Sequence, residues 1–182
     1  MTIRPLDRSD AADFHALRLG ALLESPEAFA ATYEEDVLLS SDDIAERIEE
    51  VFTEPRKVVL GAFMEGSLIG FIGCYQESMM KVRHKVVIWG TYVHPSARGR
   101  GVGEKLLTQL IRHVSLWDHV DVLHLTVVAR AKSARALYIR VGFELFGVES
   151  DGIRDHEVRD TVEHMALRIN RDPATAPTSP PT

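Results

Sequence analysis

The 182-residue chain predicts a mixed α/β domain. Three observations carry that expectation. Apolar residues recur at helical spacing in three separate stretches. Three β-rich runs follow one another without a helix between residues 57 and 93. After them, helix and strand patterns alternate to about residue 169.

The elements read in order as β-α-α-β-β-β-α-β-α-β-β. Residues 2–6 form a short strand, and Ser9 looks like the cap of a helix with Phe14, Leu17 and Ala21 on one face. The stretch "SPEAF" at 25–29 breaks it. A second helix starts at Ser40 or Ser41, aligns Ile44, Ile48 and Val51, and ends before Pro55. "KVVLGAFME" and "SLIGFIGCYQE" are strands joined through Glu65-Gly66, a hairpin signal, and "HKVVIWGTYV" is the third. A helix from Gly103 to about Leu116 carries the stripe Leu106, Leu107, Leu110, Ile111 and Val114. "DVLHLTVV" is a strand, Ser133 caps a helix through Val141, and Gly142 suits its C-terminal turn. Strands at 143–149 and 161–169 flank the charged loop "SDGIRDHEVRD". The domain therefore spans 1–170, and the Pro-rich residues 171–182 read as a disordered tail.

Composition narrows the chemistry. The 45% apolar and 26% charged content is that of a globular protein, and 21 basic against 27 acidic residues give a charge of −6. Nucleic acid is therefore not an expected partner. Cys74 is the single cysteine, which excludes an intrachain disulfide and a Cys-rich metal site, and its apolar setting suggests a buried, inert thiol. No metal is expected. Without an apolar signal core or an 18-residue apolar span, neither secretion nor membrane insertion is expected, and a cytoplasmic location is the default.

The densest signal is "VHPSARGRGVGEKLL" at 93–107, with Gly99, Gly101 and Gly103 between a strand and a helix. A Walker loop would need Lys then Ser or Thr after the last glycine, but Gly103 is followed by Glu104, Lys105 and Leu106. A dinucleotide fingerprint would need a different spacing in a first βαβ unit. A flexible, solvated loop is the bland alternative. Glycines at a strand-to-helix turn, however, let backbone N–H groups converge at the positive end of a helix dipole, forming an anion cradle suited to pyrophosphate. Arg98 and Arg100 would add charge.

These residues resemble the GCN5-related N-acetyltransferase (GNAT) superfamily, whose Gln/Arg-x-x-Gly-x-Gly/Ala turn is matched by Arg98, Gly101 and Gly103. "ARALYIRVGFE" resembles a second family segment through Ala134, Leu137, Tyr138, Gly142 and Phe143. The resemblance covers roughly residues 2–169. It implies acetyl-CoA as cosubstrate, held by Val93, Arg98, Gly99, Arg100, Gly101, Val102, Gly103, Ser133 and Tyr138. It also implies direct transfer to a primary amine. The Val93 backbone N–H would polarise the thioester carbonyl, and Tyr138 would be the general acid for the leaving thiolate. The other reading of Tyr138 is an aromatic packed beside Leu137 and Val141.

Two departures stand out. Ala131 occupies a position where the family often has Asn, and the strand before the turn lacks the acid that many relatives use as a base. A catalytically reduced acyl-CoA-binding or sensing module is therefore the alternative function. Glu77, His84, His94 and Glu34 are the remaining candidate bases by location. For the amine acceptor, Tyr33, Glu34, Glu35 and Asp36 could receive a cation and Trp89 could supply an apolar wall, with a solvated loop and a core Trp as alternatives. The acceptor would be a small amine or a protein amine, and a homodimer is compatible with the sequence.

Overall fold

The computed structural model describes residues 1–53, 56–155 and 158–169. Pro55, the side chain of Val51 and the tail expected at 171–182 lie outside the described residues. Strands β1 (Thr2–Pro5), β2 (Lys57–Met64), β3 (Ser67–Gln76), β4 (Lys85–Val93), β5 (Val122–Val128), β6 (Glu144–Asp155) and β7 (Val158–Arg168) form one sheet in the order β1-β2-β3-β4-β5-β7-β6. Helices are α1 (Ala11–Glu24), α2 (Tyr33–Asp36), α3 (Ser41–Thr53), α4 (Val102–Ser115) and α5 (Lys132–Val141). The mixed α/β class and the order of elements agree with the sequence reading, with α2 as an added single turn. None of the described helices is long and apolar enough to cross a membrane.

Strand β2 shows how the layers are specified. Its side chains alternate, so Val58, Leu60 and Ala62 join the core beneath α4, while Val59 joins the core beneath α1 and α3. A strand covered on both faces must be apolar throughout, as "KVVLGAFM" nearly is. The α4 stripe behaves as expected, with Leu106, Leu107, Leu110 and Val114 all fully buried. On the other face Phe14 meets Phe71 edge-on at 5.0 Å between ring centroids. Cys74 is buried, and burial pushes its thiol pKa up, away from the reactive thiolate.

Four local expectations need correcting. Ser9 does not cap α1. Asp7 caps a 3₁₀ turn at Arg8–Asp10 in a capping box with Asp10, and α1 continues from there. Helix α4 starts at Val102, one residue before Gly103. Ser133 is not a cap either, because Ala131 holds that position and makes no side-chain bond. Finally, most of the charged stretch 150–160 is not loop but the end of β6 and the start of β7. Its residues are polar on both faces, so no alternation announces a strand. Asp151 at φ 61 and Gly152 absorb a register shift between Glu149 and Ile153, and a Cβ on Gly152 would come within 2.9 Å of Val162.

The feature that makes the site is a split in the sheet. All strand pairs are antiparallel except β4–β5, whose parallel pairing holds only from Lys85↔Val122 to Val87↔His124. Just beyond, the β3–β4 register changes between Phe71↔Tyr92 and Gly73↔Trp89, so Ile72 alone opposes both Gly90 and Thr91. Gly90 adopts φ 61, a left-handed geometry natural for glycine. Such a bulge bends and twists its strand. Here β4 parts from β5 and a wedge opens between them.

Candidate active site

Two cavities occupy the wedge. The larger, about 730 Å³, lies between the N-terminus of α4 and α5, bounded by Val93, Gly99, Gly101 and Gly103 on one side and Ala131–Ala134 on the other. The smaller, about 370 Å³, has walls that include Phe29, Ile88, Trp89, Leu125 and Val127. Ala28, Phe29, Thr91, Ala131 and Ala134 line both, so the two spaces adjoin along a common wall.

The glycines serve two different needs. Gly99 and Gly101 adopt φ 74 and 73, and a Cβ on either would meet nothing within 4 Å. Their requirement is conformational, and it leaves open backbone facing solvent. Gly103 has no such φ, but a Cβ there would lie 3.1 Å from Leu137 on α5, so it permits close packing of the two helices. Gly101 is the N-cap residue of α4 and supplies no side-chain acceptor. The first-turn N–H groups are thus left without a side-chain cap at the positive end of a 14-residue helix.

Arg98 lines the larger cavity, with its side chain already bonded within the protein. Its Nη1 and Nη2 donate to Glu24 at 2.6 and 2.8 Å, and its Nε donates to the Val93 carbonyl at 2.9 Å. The Tyr92 hydroxyl also donates to Glu24, at 2.6 Å. Arg98 above all, then Tyr92, holds the Glu24 carboxyl below the usual carboxylate range. Burial, with Glu24 second, pushes the Tyr92 phenol up to about 12. This network ties the end of α1 to the end of β4. The His94 N–H donates to Ile69 of β3 at 2.9 Å, so by strand alternation the N–H of Val93 faces away from β3, into the wedge.

The other expected cofactor contacts divide. Ser133, exposed in the first turn of α5, lines the larger cavity, as Val102 does. Arg100 does not; it is exposed, with Nη1 3.9 Å from the Met64 sulfur. Three cations outside the expected set line it together with Arg98. Lys132 opens α5, Arg130 holds Asp160 through two bonds of 2.7 Å, and Arg140 reaches Glu104 on α4 at 3.0 Å.

Tyr138 is buried, lines the smaller cavity, and meets Phe143 edge-on at 6.0 Å. Burial raises its pKa, with a Thr91 side-chain hydrogen bond opposing. Thr91, the residue after the Gly90 bulge, was not singled out from sequence, and nothing marks it there but the preceding glycine.

Trp89 also lines the smaller cavity. Its ring lies flat where a side chain on Gly73 would be, with an added Cβ only 2.4 Å from Trp89 Cε2. Gly73→Ala is therefore expected to push Trp89 off its seat and to cost about 1–3 kcal/mol, typical of overpacking. Urea denaturation, with tryptophan emission as the probe, reads both effects; an unchanged midpoint and spectrum would show that the ring has room to move.

The expected acidic acceptor site is not what the structure brings together. Tyr33 packs against the core beneath α1, and Glu34 is exposed. Glu35 closes a capping box with Thr32, and Asp36 is buried against Arg18. None of the four lines either cavity, and neither do Glu77, His84 or His94. His94 instead accepts from the Ser96 N–H at 3.3 Å. A capping box takes Glu35 and an ion pair with α1 takes Asp36, so a stretch that composition alone reads as free charge is partly spent on structure.

Comparison with known proteins gives the family and the fold. A model of the acetyltransferase (GNAT) family matches residues 22–143. Over 77 residues the chain is 30% identical to L-2,4-diaminobutyric acid acetyltransferase of Vibrio cholerae serotype O1, a match covering 42% of this chain and 43% of that protein. A GNAT-family acetyltransferase from Streptococcus pneumoniae superposes with a TM-score of 0.82 at 22% identity, over 92% of this chain and 99% of that one. A phosphinothricin acetyltransferase from Sinorhizobium meliloti, solved in complex with acetyl-CoA, gives 0.80 at 22% identity, over 97% and 92%. The latter two share the fold.

Proposed function

The chain belongs to the GNAT acetyltransferase family, and on that premise we propose that it carries the acetyl group of acetyl-CoA directly to a primary amine. The observation that supports this most is the pairing of cavities. A bare helix mouth borders one, Tyr138 borders the other, and five residues including Thr91 wall both. The residues fit acetyl-CoA: the open backbone at Gly99 and Gly101 suits a pyrophosphate, and Lys132 and Ser133 face it across the cleft.

Acetyl-CoA supplies an activated thioester when bound. The chain's own groups do the rest. The Val93 N–H donates a hydrogen bond to the carbonyl oxygen as negative charge gathers there. The amine nitrogen forms its bond to the carbonyl carbon while the carbon–sulfur bond breaks and sulfur takes the electron pair. Tyr138 gives its phenolic proton to sulfur, and the surplus proton on nitrogen leaves to solvent or back to Tyr138.

A protonated amine, with a pKa of about 10.4 for an alkyl ammonium, is unreactive at neutral pH. We expect kcat/KM to rise with pH as the acceptor loses its proton. Burial disfavours the tyrosinate, so the Tyr138 proton is kept above the usual tyrosine range of about 10, and no falling limb should appear below it. A decline beginning near pH 8 would remove Tyr138 from this role. The reading itself is tested by calorimetry with acetyl-CoA and by thiol release across an amine panel. Binding without release from any amine would favour the alternative, a sensing module, and absence of binding would refute both.

A further inference from the structure

The smaller cavity carries the wrong charge for a dicationic acceptor. Among the described residues its lining contains one permanently charged side chain, Arg18 of α1, and no carboxylate. The rest of the wall is largely apolar, with Tyr75, Thr91, Thr126 and Tyr138 as its other polar side chains.

Arg18 is held in place. Its side chain is 15% exposed, and its Nε donates to Oδ2 of Asp36, itself 6% exposed. His15 Nε2 lies 3.0 Å from the Asp36 backbone oxygen, which fixes α2 against α1 from a second point. Asp36 engages only the Nε side of the guanidinium. Nη1 and Nη2 have no protein acceptor among the described residues. The paired edge of a guanidinium matches a carboxylate in geometry and charge, and a ligand carboxylate can take the place of solvent on these donors. At about 370 Å³ the space is near the lower end for ligand sites, roughly 300–1,000 Å³, which suits a small molecule.

We infer that the acceptor is a free amino acid or close analogue, its carboxylate held by Arg18 and its reacting amine directed to Thr91 and Tyr138 where the cavities adjoin. This rests on the acetyl-transfer reading above. It replaces an acidic, cation-seeking acceptor site with a cationic one. The chemistry balances as already written: nitrogen gains the acetyl group, sulfur gains a proton, and the carboxylate is unchanged.

The test uses matched pairs, each proteinogenic amino acid and 2,4-diaminobutyrate against its own carboxamide, with acetyl-CoA and thiol release as the readout. For the best substrate, kcat/KM for the acid should exceed that for the amide by at least about tenfold, expressed mainly in KM. In Arg18→Met the acid-to-amide ratio should fall to about one, and Arg18→Lys should restore part of it. If Arg18→Met melts early because Asp36 is left unpaired, Arg18→Met with Asp36→Asn removes both charges and gives the same ratio test. Amides or simple alkylamines that react as well as the acids would overturn the inference while leaving acetyl transfer standing. So would acetyl-CoA binding with none of the pairs acetylated, or an acid preference that survives Arg18→Met. Failure to bind acetyl-CoA at all would instead strike the underlying reading, and this inference with it.

Discussion

Tyr138→Phe is expected to lower kcat by at least about 10²-fold while acetyl-CoA affinity moves by less than a factor of about three. The substitution keeps the ring, so the contact with Phe143 and the buried packing survive. What disappears is the only proton the side chain can give. The hydroxyl meets sulfur chiefly as charge develops, which is why rate should suffer and binding should not. Steady-state kinetics on the best acceptor, with calorimetry for acetyl-CoA, separates the two. Full activity in Tyr138→Phe would make this residue a packing element and hand the proton to water.

Gly101→Val should weaken acetyl-CoA and CoA together by at least about tenfold. At φ 73 a β-branched residue is strained by about 1–3 kcal/mol, so the turn will move to relieve it and the N–H groups at the α4 mouth will no longer converge. Steric room is not the issue, because the Cβ position is open. Gly66→Val is the matched control. Gly66 has φ 84 and equally open space, but lies in the β2–β3 turn. It should cost stability without changing CoA affinity. Equal affinity losses in both variants would mean that general loosening, rather than the cradle, explains the effect.

Much of this was legible in the chain. Periodicity marked the apolar faces of α1, α3 and α4, and the glycine turn pointed to an anion site because few other uses need three glycines between a strand and a helix. What stayed hidden has physical causes. Arg98, expected to hold the cofactor, does line the larger cavity, but its bonds to Glu24, 74 positions away in sequence, could not be read from the chain. Arg18 was invisible because its environment is made by β4, β5 and the turn at 28–31, none of which is near it in sequence. The acidic run 34–36 looked like recognition, but Glu35 closes a capping box and Asp36 pairs with Arg18 of α1, which leaves Glu34 exposed and outside either cavity. Residues 150–155 and 158–160 carry only Ile153 and Val158 as large apolar side chains, too few to announce a strand by alternation.

The parting of β4 and β5 has a consequence for how the molecule coexists with other chains. A strand edge with unused N–H and C=O groups is ordinarily an aggregation hazard, managed with charges, prolines or covering elements. This fold keeps such stretches, from Ile88 on one strand and Leu125 on the other, in the middle of its sheet rather than at the rim. They face each other across a gap whose walls include the mouth of α4 and the start of α5. A narrow gap at the centre of a sheet offers its backbone groups to a slender ligand while keeping them off the rim, where strand-to-strand association between molecules begins.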